Sequence, residues 1–218
     1  MKTITGTKIR KILIFAEMKK QDIQVPMGET TVLLHTCCAP CSSAIIEALM
    51  KEGITPVIYY CNPNIYPYEE YESRKNECTR YAQALGLEIV DADYDHENWL
   101  EAVKGMENEP ERGGRCLKCF KLRLLRTALY AKERGIRVIT TTLASSRWKS
   151  LDQINEAGSW AVGQVEDKTI PPDDRSVIWW DRNWRKGGLQ ERRLQILKEY
   201  DFYNQLYCGC EFSMRKDL

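Results

Sequence analysis

An α/β fold, a parallel sheet with helices on both faces, is what this sequence predicts, and three observations carry that reading. Short apolar runs alternate with amphipathic stretches of helical length from Thr31 to about Val162. Glycines fall where the helical stretches should stop, at Gly53, Gly86 and Gly135, supplying the left-handed backbone that closes a helix. The 218 residues, 43% hydrophobic and 29% charged, suffice for one sizeable core. No apolar run approaches the roughly 20 residues a membrane span needs.

One organised domain is expected over residues 31–218, preceded by an extension, residues 1–30, with a short basic amphipathic helix over residues 8–20. Residues 31–35 read as a buried strand. It breaks at Thr36-Cys37-Cys38-Ala39-Pro40-Cys41, after which Ser42 or Ser43 suits the cap of a helix reaching Glu52. Residues 54–60 form a second strand, followed by a loop held by Pro63 and Pro67. A charged helix over residues 68–85 and a third strand at 87–90 come next, then an acidic loop to His96 and a short helix around 99–104. A glycine-rich charged loop leads into a long helix over 116–134, a fourth strand at 136–141, and a helix from Ser145-Ser146 to about Val162. Beyond Pro171-Pro172 the composition shifts. Residues 175–198 carry seven basic side chains against Asp181 and Glu191, with Trp179, Trp180 and Trp184 among them. This basic and aromatic segment, 175–218, ends in a helical, cysteine-bearing tail containing Tyr207-Cys208-Gly209-Cys210.

The N-terminal apolar stretch Ile12-Leu13-Ile14-Phe15 is too short for a secretory leader, and Glu17, Lys19 and Lys20 follow at once. A cytoplasmic location is therefore expected. Nine cysteines in a reducing compartment read as metal ligands or redox groups rather than a disulfide framework. Cys37 and Cys38 follow the first strand, at the carboxyl edge where open parallel sheets hold ligands. Cys116 and Cys119 stand where a loop becomes a helix; residues three apart share a helix face, and the helix N-terminus favours thiolate. Two close pairs from distant parts of a chain make a four-thiolate site, which suits zinc or an iron–sulfur cluster. A domain of this size needs no zinc staple, and Cys37-Cys38 is not a zinc-finger spacing. Net charge is only +1, so any nucleic-acid contact must come from a local patch.

The stretches His35-Thr36-Cys37-Cys38-Ala39-Pro40-Cys41, Asn62-Pro63-Asn64-Ile65, Tyr94-Asp95-His96-x-x-Trp99, Arg115-Cys116-x-x-Cys119 and Tyr207-Cys208-Gly209-Cys210 occur in that order. Together, over residues 31–214, the chain resembles the epoxyqueuosine reductases of the QueH type. The resemblance implies a Rossmann-like, nucleotide alpha-hydrolase-like core and the reduction of epoxyqueuosine to queuosine at the wobble position of tRNA, the final step of queuosine biosynthesis. It implies a [4Fe–4S] cluster on Cys37, Cys38, Cys116 and Cys119, a redox-active disulfide between Cys208 and Cys210, and an external electron donor. Members of the family that carry Asp after the Ala-Pro would use it at an additional iron; Cys41 stands there in this chain, a departure that bears on whether such an iron is held. The glycine-rich phosphate loop of the wider fold group is absent after the first strand, so no ATP is expected.

Opening an epoxide also needs a proton donor. Asp95, His96 and Tyr66 are the candidates, although Asp95 and His96 equally suit capping the helix that carries Trp99. His35, inside an apolar strand, reads as a core histidine. Arg182, Arg185, Lys186, Arg192 and Arg193 would hold tRNA phosphates, with Arg147 and Lys149 adding to the rim, while an unpaired base stacks on one of the C-terminal indoles. Two other classes remain: a zinc-stabilised RNA-binding module, and an ATP-using tRNA-modification protein on the same core.

Overall fold

The computed structural model describes residues 23–166, 169 and 177–214. The expected helix over residues 8–20 and Arg175 lie outside them. Five parallel strands form one sheet in the order β3-β2-β1-β4-β5: β1 Thr31–Thr36, β2 Thr55–Tyr60, β3 Ile89–Asp91, β4 Val138–Thr141 and β5 Ile178–Trp179. Central β1 pairs Thr31 with Thr55 through Thr36 with Tyr60 on one side, and Leu33 with Ile139 through His35 with Thr141 on the other. Val32, Leu33 and Leu34 are wholly buried. This is why β1 reads as an unbroken apolar run: a parallel strand covered on both faces has no polar side to display.

Six α-helices complete the described architecture: α1 Ala39–Lys51, α2 Tyr68–Leu85, α3 His96–Ala102, α4 Gly114–Arg134, α5 Leu151–Val165 and α6 Leu189–Glu199. α1, α2 and α6 pack together, and α4 and α5 form the other closely packed pair. Gly86 and Gly135 close α2 and α4 in the left-handed conformation, as their positions in the sequence predict. No helix among the described residues is long and apolar enough to cross a membrane.

Several expected boundaries differ; α5 begins at Leu151, capped by the Ser150 hydroxyl, rather than at Ser145-Ser146, because Thr142–Ser145 form a separate 3-10 turn. α1 begins at Ala39, not after Ser42 or Ser43, because Pro40 suits the first helical turn and Cys38 takes the cap position. The Ser42 hydroxyl instead donates to Cys38 O at 3.0 Å within that turn. The end of the supposed N-terminal extension joins the domain: Ile23 and Val25 pack on the core, and Thr30 O accepts from Thr55 N–H at 2.7 Å. The short β5 adds an edge to the sheet, where Trp180 N–H donates to Ile139 O at 2.9 Å. Trp179 lies so close to α5 that a Cβ on Gly158 would sit 2.2 Å from its ring, so only glycine admits the indole there.

The strand order reverses direction at β1, with β2 and β3 laid to one side and β4 and β5 to the other. Such a switch point opens a crevice beyond the strands' carboxyl ends. Cys37 leaves β1 there, and Thr142 leaves β4 beside it.

Candidate active site

The chain passes from Thr36 of β1 into Cys37 and Cys38, and Cys41 lies in the first turn of α1. The Sγ atoms of Cys37, Cys38 and Cys41 all fall within 4.8 Å of one another. Cys37 N–H donates to Thr142 Oγ1 at 3.2 Å, and that hydroxyl donates back to Cys37 Sγ at 3.4 Å. Hydrogen bonds from the Cys38 and Cys41 thiols hold Cys37 well below the ordinary thiol range, with Lys149 and Thr142 assisting against the cost of burial. Desolvation keeps Cys38 protonated, and Cys41, whose thiol is committed to Cys37, is pushed up to about 12. Within the trio, Cys37 is therefore the thiol most readily ionised. A bound cation would draw off the other protons, since metal binding favours thiolate.

Cys116 and Cys119 occupy the start of α4. Cys116 accepts from Arg112 N–H at 3.3 Å and lines the same cavity as Cys37 and Cys41. Cys119 is packed behind it with Trp99, Val103 and Cys210. The close trio therefore includes Cys41, which the four-ligand set omits, while Cys116 faces the trio's cavity and Cys119 backs it.

The cavity has a volume of about 640 Å³. Its wall carries Arg74, Arg112, Arg123, Lys149 and Arg193 against a single acid, Glu111. Cys208 also opens onto it and accepts a hydrogen bond from Lys149 Nζ at 3.3 Å. Burial by itself would raise the Cys208 thiol, but Lys149 and Arg123 bring it below the ordinary value. Cys210 is buried, and desolvation pushes it up to about 11. Both are free thiols in this structure. Cys208 faces the cavity as the more acidic thiol, and Cys210 is the less acidic one behind it.

The tail reaches this position because α6 packs on α1 and buried Arg74 anchors the segment beyond that helix. Arg74, ion-paired with Glu70 at 2.6 Å, donates to Cys208 O at 3.3 Å and Tyr207 O at 3.2 Å. Tyr66 N–H donates to Gly209 O at 2.9 Å, and the Tyr207 hydroxyl donates to Tyr66 O. Gly209 has a φ of 105°, and a Cβ there would lie 2.9 Å from Ile65 Cγ1 and 3.1 Å from Arg74 Nη1. A Gly209→Ala protein should therefore lose about 1–3 kcal/mol of local stability, read as faster amide exchange across residues 205–210. Wild-type exchange in that segment would show that the turn accepts a side chain.

Arg123, one helical turn beyond Cys119, escaped the sequence reading, although residues 116, 119 and 123 share a helix face. It is buried, donates to Cys61 O at 3.2 Å and to Asn62 Oδ1, and approaches Cys119 Sγ at 4.0 Å. Asn62 in turn donates to Thr36 O at 2.9 Å, tying the ends of β1 and β2 to α4. His35 is the expected core histidine. Its Nε2 donates to Cys61 O at 3.1 Å, so Nδ1 accepts from the Thr141 hydroxyl at 2.7 Å, and burial, aided by Arg123, holds its pKa near 3. Cys61 contributes its backbone carbonyl to this junction. Cys78 is a core side chain.

The proton-donor candidates sit beside the tail rather than in the cavity wall. Asp95 occupies the cap position of α3, but its carboxylate accepts from the Asn98 side chain at 2.8 and 2.9 Å, not from the helix backbone. His96 Nδ1 donates to Pro63 O at 2.7 Å, and Nε2 lies 3.4 Å from Glu211 Oε1. Exposed Tyr66 stacks on the His96 ring, centroids 5.7 Å apart.

The C-terminal arginines divide in role. Arg192 is only 9% exposed and is committed to Glu47 at 2.7 Å and Glu199 at 2.8 Å, so it is a tie between α6 and α1 rather than a phosphate contact. Arg185 donates to Ser146 O and Lys149 O, each at 2.6 Å. Arg182 lies over the Trp180 and Trp184 rings. Lys186 is exposed, and Arg193 lines the cavity. The indoles expected to stack a base are spent on packing: Trp180 is 6% and Trp184 1% exposed, and Trp179 lies against Gly158. The bulk of an aromatic ring is worth more in the core than on the surface, so position in a basic stretch was a poor guide.

Residues 32–216 match the family described as epoxyqueuosine reductase QueH. A Histophilus somni protein of that name is 47% identical over 193 residues, covering 88% of this chain and 76% of its own length. The Acinetobacter baylyi protein of the same name is 45% identical, covering 88% of this chain and 84% of its own. A Thermotoga maritima protein, also so named, is 34% identical over 187 residues, covering 84% and 90%.

Proposed function

Because the chain belongs to the epoxyqueuosine reductase QueH family, we propose that it reduces epoxyqueuosine at the wobble position of tRNA to queuosine, using a [4Fe–4S] cluster and the Cys208–Cys210 pair. The observation that carries this reading is the grouping of Cys37, Cys38 and Cys41 within 4.8 Å at the switch point, on a cavity that Cys116 and Cys208 also line. An all-thiol donor set suits an iron–sulfur centre, and buried Arg123 with half-buried Lys149 would offset the charge that several thiolates bring. Cys37, Cys38, Cys116 and Cys119 would hold the cluster, and Cys41 would offer a further thiolate for an additional iron. When bound, the group would supply single electrons and a Lewis-acidic iron for the epoxide oxygen.

Converting the epoxide to an alkene releases its oxygen as water and consumes two electrons and two protons. Oxidation of the Cys208 and Cys210 thiols to a disulfide yields the same two electrons and two protons, and the external donor restores the dithiol. Cys208, whose thiol Lys149 makes more acidic, would face the substrate, and Cys210 would complete the bond from behind. His96 is better placed than Asp95 to relay a proton. Its Nδ1 donates to Pro63 O, and Nε2 lies 3.4 Å from the Glu211 carboxylate. The Asp95 carboxylate is already engaged by Asn98. Arg193, Lys186 and Arg147 form the basic rim for tRNA phosphates.

Protein purified without oxygen should be brown, contain iron and acid-labile sulfide, and convert epoxyqueuosine in tRNA to queuosine when given a chemical reductant, as read by nucleoside mass spectrometry. Colourless, zinc-loaded protein without that conversion would end this assignment.

A further inference from the structure

The loop between β4 and α5 holds an aromatic side chain that the core does not use. Trp148 is 70% exposed, whereas Trp99, Trp180 and Trp184 are buried. Trp148 lines the cavity together with Arg112, Lys149 and Arg193. Leaving so much apolar area in water forgoes roughly 25 cal/mol per Å² of burial, which favours a partner that covers it.

The backbone beneath the ring is held from two sides. Arg112 Nε donates to Trp148 O at 2.9 Å and its Nη2 to Arg147 O at 3.0 Å. Arg185 Nη2 donates to Ser146 O and Lys149 O, both at 2.6 Å. Arg112 is itself anchored: it adopts a left-handed φ of 68°, and its carbonyl accepts from Gln153 Nε2 at 2.8 Å. Four consecutive carbonyls, residues 146–149, are thus committed to two guanidinium groups, so the indole is presented on a fixed base. A loop pinned this way loses little entropy when a flat ligand settles on it.

Resting on the function proposed above, we infer that Trp148 is the stacking platform for an unpaired anticodon-loop base next to the wobble nucleotide. A base has an apolar face to lay on the ring, and its flanking phosphates meet exposed Arg147 and, in the cavity wall, Arg193. Arg112 and Arg185 then act as positioning residues, fixing the loop rather than touching phosphate. This choice of platform replaces the C-terminal indoles, which the fold consumes.

The test uses full-length, cluster-loaded protein, with fluorescence anisotropy of a synthetic anticodon stem-loop from a queuosine-accepting tRNA. Trp148→Ala and Trp148→Leu should raise Kd about ten-fold, and Trp148→Phe should stay within about three-fold of wild type, because a ring stacks and a branched chain does not. The slope of log Kd against log salt should be unchanged in all three, since no charge is lost. Equal Kd for Trp148→Ala and wild type overturns the inference alone. A reduced salt slope overturns stacking in favour of displaced charges. Wild-type protein that fails to bind the RNA overturns the inference and the tRNA reading together. RNA binding that depends on Trp148, in a protein that leaves epoxyqueuosine unreduced, supports the inference and sinks the proposed activity.

Discussion

A Cys208→Ser protein should turn over epoxyqueuosine in tRNA at least about 100-fold more slowly than wild type, the scale expected when a covalent redox group is removed rather than trimmed. The mutation takes away the thiol that lines the cavity and leaves Cys210 buried without a partner. Anaerobic iron and sulfide content should remain near wild type, because Cys208 belongs to neither the trio nor the α4 pair. Full turnover with chemical reductant would end the role of the pair. A second readout isolates the chemistry of this thiol. Lys149 donates to Cys208 Sγ at 3.3 Å and, with Arg123, holds the thiol below its ordinary value despite burial. The reactive form is the thiolate, so a lowered pKa makes Cys208 reactive at lower pH than a free cysteine. Lys149→Met removes the stabilising charge while burial persists, and the midpoint of Cys208 alkylation should therefore move to higher pH. An unmoved midpoint would show that Lys149 does not set the charge on Cys208.

Arg192→Met should destabilise the fold by about 3–5 kcal/mol, the usual cost of stranding one partner of a buried ion pair. Glu47 is fully buried and receives two hydrogen bonds from Arg192, at 2.7 and 3.1 Å, with Tyr81 at 3.2 Å its other side-chain partner. Without the guanidinium, the Tyr81 hydroxyl is the one side-chain donor left to its carboxylate among the described residues. For a chain of this size the loss corresponds to a fall in Tm of about 6–20 °C, measured by calorimetry of the same preparation. Arg193→Glu, one residue on, should leave Tm nearly unchanged and weaken tRNA binding with a shallower salt dependence. The reverse pattern, a stable Arg192→Met protein that no longer binds tRNA, would return Arg192 to the phosphate-contact set.

Much of the fold was legible because its signals are local. The buried run of β1, the glycine stops after α2 and α4, and the amphipathic period of the long helices each need only neighbouring residues to be read. β5 was not legible: two residues at an edge carry no periodicity, and their strand character comes from pairing with Val138 and Ile139. The division of Arg182, Arg185, Arg192 and Arg193 into ties and surface groups was equally hidden. An arginine at a buried carboxylate and one facing water look alike in a sequence of modest local charge. Trp148 stands between Arg147 and Lys149 in the sequence, but its exposure comes from how Arg112 and Arg185 hold the loop, which those neighbours do not reveal.

By itself the sequence determined a parallel α/β core, the placement of Cys37 and Cys38 at the end of its first strand, and a cysteine pair in the tail, because spacing along the chain carries all three. Only the tertiary structure decided which of these groups meet. Cys41 turns back onto Cys37 and Cys38 because α1 starts early, at Ala39. Cys208 reaches Lys149 because Arg74 and the Arg192–Glu47 tie fold the tail across the switch point. Contacts between residues more than a hundred positions apart depend on how helices pack on the sheet, and that packing is a sum over the whole core rather than a property of any short stretch.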